Sequence, residues 1–166
     1  MNSFHIFLKS SYHLLGDIMI KNILKFILFF IPWFLSTLIC SDYSFFNEIN
    51  IPFFSIPQSV FPVAWTILYI LISISCVIVS NINLTKEYKK DLLINYLFNQ
   101  SYTIIFFCFR STFFGLISCI LTLLTSLFLY YETKEISKKA SYFLIPYTLF
   151  LVYASILSVV IYFINL

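Results

Sequence analysis

A chain of 166 residues that is 61% hydrophobic and only 10% charged cannot clothe a soluble domain, because soluble proteins carry about 25% charged residues. The net charge of +3 is small and the basic residues lie in short segments between apolar runs. That pattern excludes a nucleic-acid-binding role and makes the lipid bilayer the partner.

Residues 1–21 form an N-terminal extension. Its first part, MNSFHIFLKSSYHLLGDI, scatters His5, Lys9, His13 and Asp17 among apolar residues. Two readings stand: an amphipathic helix on the membrane surface, or a start-site extension ahead of Met19, where MIKNILKF makes a conventional beginning. The two histidines have no acidic or cysteine partners nearby and read as surface residues.

Five apolar runs follow, at 22–40, 60–82, 92–109, 112–131 and 142–165. A helix needs about 20 apolar residues to cross a bilayer. Residues 22–166 are therefore predicted to be an all-α integral membrane domain, a bundle of five transmembrane helices. Nine of the ten basic residues precede span one or lie between spans two and three and spans four and five; Arg110 is the exception. Positive residues mark the cytoplasmic side, which places the N-terminus inside and the C-terminus outside. So strong a bias suits a multi-pass protein of a bacterial cytoplasmic membrane.

Span one carries Pro32 near its middle. Within lipid, such a proline kinks the helix and frees a carbonyl for neighbouring helices to satisfy. Trp33 beside it packs against lipid or another helix, or lines a cavity. The first loop, 41–59, is rich in aromatics and prolines and carries Asp42 and Glu48. It reads as a folded lid on the outer mouth of the bundle, or as a loop resting at the interface, where aromatic rings are at home. Pro52 and Pro57 stiffen it, and Phe61 and Pro62 open span two, since proline is tolerated in a helix's first turn.

Span three, LLINYLFNQSYTIIFFCF, places Asn95, Asn99, Tyr102 or Thr103, and Phe106 on one helical face. Intramembrane amides face a bundle interior or a cavity. They are either hydrogen-bonding groups of a pocket wall or bolts between helices. Span four has small residues at Ser111, Gly115 and Cys119 and at Ser118, Thr122 and Ser126, a pattern of close helix packing. On span five, Pro146 falls in the first turns, and Tyr147, Phe150 or Leu151, Ala154, Ser158 and Ile161 share a face. The four cysteines (Cys40, Cys76, Cys108, Cys119) have no close Cys or His neighbours, so the sequence predicts small buried hydrophobes and neither disulfides nor a metal cluster.

Three of these segments together resemble the TspO/translocator family of tryptophan-rich sensory proteins. Pro52-x4-Pro57-x2-Val60-Phe61 and Trp65-Thr66-x-Leu68-Tyr69 are similar to its loop and second helix. Asn95, Asn99, Tyr102, Thr103 and Phe106-Phe107 follow the order of its Q-x-x-x-N-x-x-W-S-x-x-F-F. Leu144, Pro146, Tyr147, Phe150, Tyr153, Ala154, Leu157 and Ser158 follow its L-L-x-P-Y-x-x-W-x-x-F-A-x-x-L-N.

The resemblance implies a five-helix bundle with a pocket opening toward the first loop. It also implies a porphyrin or haem ligand with no required cofactor, and a homodimer. The ligand residues would be Trp65, Tyr69, Asn95, Asn99, Tyr102, Phe106, Tyr147, Phe150, Ala154 and Ser158, with Pro52, Pro57 and Phe61 in the lid. Aromatic walls with a few polar points suit a flat hydrophobic ligand. The function expected is a membrane tetrapyrrole-binding sensor, regulator or carrier. The alternatives are a facilitated transporter of a hydrophobic metabolite, and a scaffold that has lost its ligand site.

The chain departs from the family pattern where tryptophans of spans three and five are Tyr102 and Phe150, and where the loop Lys-Pro is Ile51-Pro52. Breakdown of porphyrin by light, which would use paired tryptophans, is not expected. No His, Asp, Glu or Lys lies deep within a span, so the chain reads as a binding protein and not an enzyme.

Overall fold

The computed structural model describes the backbone of residues 2–40 and 44–166 and the side chains of residues 16–40 and 44–166. The described residues form five helical columns and no strand. Column one is α1 (Asn2–Phe30), a 3-10 turn (Ile31–Phe34) and α2 (Leu35–Ile39); column two is α3 (Val60–Ile82). Column three is α4 (Lys86–Thr103) running into a π-helical turn (Ile104–Cys108), and column four is α5 (Thr112–Ile136). Column five is α6 (Lys138–Tyr142) followed by α7 (Ile145–Ile164). The chain is a multi-pass membrane helical bundle.

Helix α1 passes residue 21 without a break. The side chains of His5, Lys9 and His13, on which the two readings of the extension turn, lie outside the described residues, as does Asp42. Below the bundle, Lys25 donates to Asn81 Oδ1, and Asn81 Nδ2 donates to Asn22 Oδ1 at 2.8 Å, tying α1 to the end of α3.

The local chemistry sets the helix starts. Thr85 Oγ1 accepts from Tyr88 N to cap α4, Ser111 Oγ from Phe114 N to cap α5, and Ser137 Oγ from Ala140 N to cap α6. Pro146 explains the split fifth column. It has no N–H for the Tyr142 carbonyl four residues earlier, and its ring crowds that carbonyl. The chain therefore turns through Phe143 and Leu144, whose amides bond to Ala140 and Ser141 at 3.1 and 3.0 Å, and starts again as α7.

Among the described residues, four segments are long and apolar enough to cross a membrane by length and composition: Gly16–Ile39, Val60–Ile82, Thr112–Ile136 and Lys138–Ile164. Column three is the exception. Its first turns are charged and its middle holds Asn95, Asn99 and Gln100, all three buried. Its amides point inward against the other columns, so they take nothing from the apolar surface offered to lipid.

On α5 the small residues Gly115, Ser118, Cys119, Thr122 and Ser126 are buried, and this stripe receives α4 and α7. Gly115 is closely packed. A Cβ there would stand 2.8 Å from Phe106 Cδ2, and the Phe106 ring is itself buried among aromatics.

The cysteines differ from expectation. Cys40, just beyond α2, and Cys108, the last residue of the π turn, are joined as a disulfide with Cα atoms 5.9 Å apart, a spacing within the usual range. Columns one and three end side by side on the outer face, a proximity that 68 residues of sequence separation conceal. Cys76 and Cys119 are buried and free, as the sequence suggests.

Gly115→Val should cost about 2 kcal/mol by overpacking against Phe106, seen as a lower thermal midpoint in detergent. Gly16→Ala is the control, because nothing lies within 4 Å of its added Cβ, and it should leave the midpoint unchanged or raised.

Candidate functional site

Column three organises the interior through its amides. The Tyr69 hydroxyl on α3 donates to Asn99 Oδ1 at 3.2 Å, and Asn99 Nδ2 donates to the Tyr147 hydroxyl on α7 at 3.3 Å. The Tyr147 hydroxyl donates to Asn95 Oδ1 at 3.0 Å. Asn95 Nδ2 in turn donates to the Thr122 carbonyl and to Thr125 Oγ1 on α5, both at 3.0 Å. Columns two, three, four and five are thereby joined by one chain of hydrogen bonds. In hydrocarbon no water can take the place of a missing partner.

Gln100 reaches the remaining column. Pro32 leaves the middle of column one without its regular ladder, and Gln100 stands in the gap. Its Oε1 accepts from Ser36 N at 2.9 Å and its Nε2 donates to the Trp33 carbonyl at 3.2 Å. The Tyr96 hydroxyl donates to the Pro32 carbonyl at 3.0 Å. The irregular turn at and just after Pro32 is thus bonded by α4. Trp33 is buried in it, stacked on Tyr69 at 5.3 Å and edge-on to Tyr96 at 5.2 Å.

Two aromatic groups surround this polar chain. In the first, the Trp65 ring lies 5.6 Å from Tyr69, 6.4 Å from Tyr147 and 5.3 Å from Phe150. In the second, beneath the first loop, Tyr102 stacks on Phe106 at 5.5 Å. Phe45 and Phe46, in a 3-10 turn at Ser44–Asn47, pack onto Phe106 from above at 5.3 and 5.6 Å, and Phe46 stacks on Phe61 at 6.0 Å. Cys119 Sγ lies 3.6 Å from Ser155 Oγ, a contact between small polar groups of α5 and α7.

The loop itself is docked on the bundle. Arg110 grips both carboxylate oxygens of Glu48 at 2.7 and 2.9 Å and donates to Ser44 Oγ at 3.3 Å. Arg110 has φ +50°, the left-handed region, in the short turn between columns three and four. Asn165 near the C-terminus accepts from Asn50 N at 2.8 Å and donates to its carbonyl at 2.9 Å. The Tyr153 hydroxyl accepts from Ile56 N at 3.0 Å and donates to the Phe54 carbonyl at 3.3 Å. Pro52 and Pro57 stiffen the segment between these ties.

Comparison with known proteins adds the decisive observation: residues 24–164 match the family model of the TspO/MBR family. The chain belongs to the TspO/MBR family. It is similar to "Tryptophan-rich protein TspO" of Bacillus cereus, 31% identical over 133 residues that cover 78% of this chain and 86% of the relative. It is equally similar to "Uncharacterized membrane protein YtaB" of Bacillus subtilis, 31% identical over 128 residues covering 75% and 83%.

In this TspO/MBR chain, the residues picked out from sequence fall into two connected sets. Trp65, Tyr69, Asn95, Asn99, Tyr147 and Phe150 meet around the hydrogen-bonded chain, while Tyr102, Phe106 and Ser158 meet beneath the loop with Phe61. Ala154 stands on α7 one turn from both Phe150 and Ser158 and links the sets. None of these residues lines the open groove of about 510 Å³ between α4 and α5, which is bounded by Phe98, Ser101, Phe114 and Ser118 on the bundle's outer surface. Sequence reasoning missed Gln100 and Tyr96 as partners of the kink, Phe45 and Phe46 as the part of the loop that enters the bundle, and Tyr153 as its anchor. A third amide beside Asn99, in a span facing one that holds a proline, was the available signal for the first pair.

Asn95→Ala and Tyr147→Phe should each lower stability by about 1 kcal/mol, and the double variant should fall short of their sum by about 0.6–1.7 kcal/mol if the pair is coupled. Thermal unfolding in detergent, read as a double-mutant cycle, checks this.

Proposed function

We propose that this protein binds a tetrapyrrole, porphyrin or haem, in the aromatic region beneath the first loop and acts as a membrane sensor, regulator or carrier. Membership of the TspO/MBR family makes it a membrane sensory or binding protein in general terms. The finer reading is supported by one observation above others: Phe45 and Phe46 of a docked loop close over Tyr102, Phe106 and Phe61. A flat conjugated ring can replace each of those ring contacts with its own when the loop lifts. Beside it, Ala154 and Ser158 keep the α7 wall low, and Trp65, Tyr147 and Phe150 continue the aromatic lining toward the membrane centre.

The hydrogen-bonded chain sets what a ligand's polar groups would meet. Asn95 and Asn99 already have partners on α3, α5 and α7, so a ligand would have to exchange with those bonds. Apolar stacking therefore supplies most of the affinity, and the propionates of a porphyrin would face the outer, lid side, where Arg110 lies. With Tyr102 and Phe150 at positions where the family pattern has tryptophan, electron transfer through paired indoles is not part of this reading, and the proposed role is binding without turnover.

Titration of the purified protein with protoporphyrin IX should quench tryptophan emission saturably. Trp65→Phe should reduce the quenching, because Trp65 borders the region, and Trp33, stacked on Tyr69, should supply the remainder. Phe106→Ala should weaken binding about tenfold or more, a loss of one stacking partner of about 1.5 kcal/mol. Absence of saturable binding, together with no effect of Phe106→Ala, would sink the tetrapyrrole reading. Binding without uptake into proteoliposomes favours a sensor, whereas saturable uptake favours a facilitated transporter. Under illumination the bound porphyrin should persist.

A further inference from the structure

The first loop is held at its two halves by different chemistry. The later half is fastened to column five by hydrogen bonds from Asn165 and Tyr153. The earlier half is fastened to the end of column three by the Arg110 ion pair with Glu48 and by the bond between Cys40 and Cys108. The ion pair is half exposed on both sides, where such contacts contribute little. The sulfur bridge is therefore the strong tie of that half. It starts the loop four residues before Ser44, the first residue of the turn that carries Phe45 and Phe46.

Location bears on its chemistry. Cys40 and Cys108 sit at the ends of columns one and three on the face that the lysine distribution puts outside, the side where disulfides form and persist. Cys76 and Cys119 lie within the bundle and are free. Cys40 is buried, but Cys108 is exposed, so an exchanging thiol or disulfide can reach one sulfur of the bridge.

We propose that Cys40 and Cys108 form a redox latch on the first loop, closed as a disulfide and opened by reduction, that controls how readily Phe45 and Phe46 lift from Phe106. Closing proceeds by exchange with a small disulfide. The Cys108 thiolate attacks one sulfur of the reagent and releases a first thiol; Cys40 then attacks the mixed disulfide at Cys108 and releases the second. Two protein thiols lose two protons and two electrons, and one reagent disulfide becomes two thiols. Opening is the same sequence reversed by a dithiol. The latch concerns the loop alone and does not rest on the identity of a ligand.

The test needs no ligand. Protein exposed to oxidised glutathione, then denatured and alkylated without reductant, should carry label on Cys76 and Cys119 only, and on all four cysteines after reduction. Hydrogen exchange on the folded protein should then accelerate about tenfold or more at residues 44–50 on reduction, with residues 60–82 unchanged. Cys40→Ser combined with Cys108→Ser should match the reduced protein and no longer respond to reductant. The wild-type comparison carries the test by itself if that variant folds poorly. Label on Cys40 and Cys108 without reductant, unchanged exchange at 44–50, or acceleration spread through all five columns would each overturn the latch. Loss of porphyrin binding with a working latch would count against the ligand reading only.

Discussion

The constraint on which the rest of this bundle depends is that hydrocarbon offers no hydrogen-bond partner. A proline in column one and three amides in column three are each expensive in that solvent when alone. Together they are complementary. Gln100 takes up the donor and acceptor left by the Pro32 kink, Asn99 joins α3 to α7, and Asn95 joins α7 to α5. Column three can thus be the least apolar of the five and still cross the membrane. Its polar side chains are spent within the protein, and they also fix the rotation of α4, since turning it would expose all three at once.

Much of this was legible in the sequence, and the reasons differ from element to element. The second span was bounded correctly because Pro62 opens it and the polar, charged stretch from Asn83 follows it. The shared face of Asn95 and Asn99 followed from helical spacing, but whether the amides served a pocket or the bundle could not be read from one helix. Their partners Tyr69, Tyr147 and Thr122 lie on three others. The Cys40–Cys108 bridge was hidden for a similar reason: it depends on which columns end next to each other, and no local pattern encodes that. The docking of the loop was half legible. Its prolines and aromatics spoke for order, yet the ties through Arg110, Tyr153 and Asn165 are all long-range.

The substitutions at the family's tryptophan positions can be weighed against this frame. Tyr102 keeps a ring stacked on Phe106. Phe150 keeps an edge contact on Trp65. Ring-on-ring packing is retained while indole chemistry is lost. Ring contacts at both positions are thus made without indoles.

The π-helical turn at Ile104–Cys108 carries a consequence for register. Its bond from Phe109 N to the Ile104 carbonyl, at 3.2 Å, spans five residues, so the turn holds one residue more than an α-helix would. One residue is worth about 100° around a helix axis. Within this turn Phe106 is buried beneath the loop, while Cys108, two positions on, is exposed and joined to Cys40. The turn is the last of column three, so the added residue sets where the chain leaves the helix for Arg110 and α5. Its length is a phase setting, and it is the place where the interior face of column three is brought into step with the outer face of the bundle.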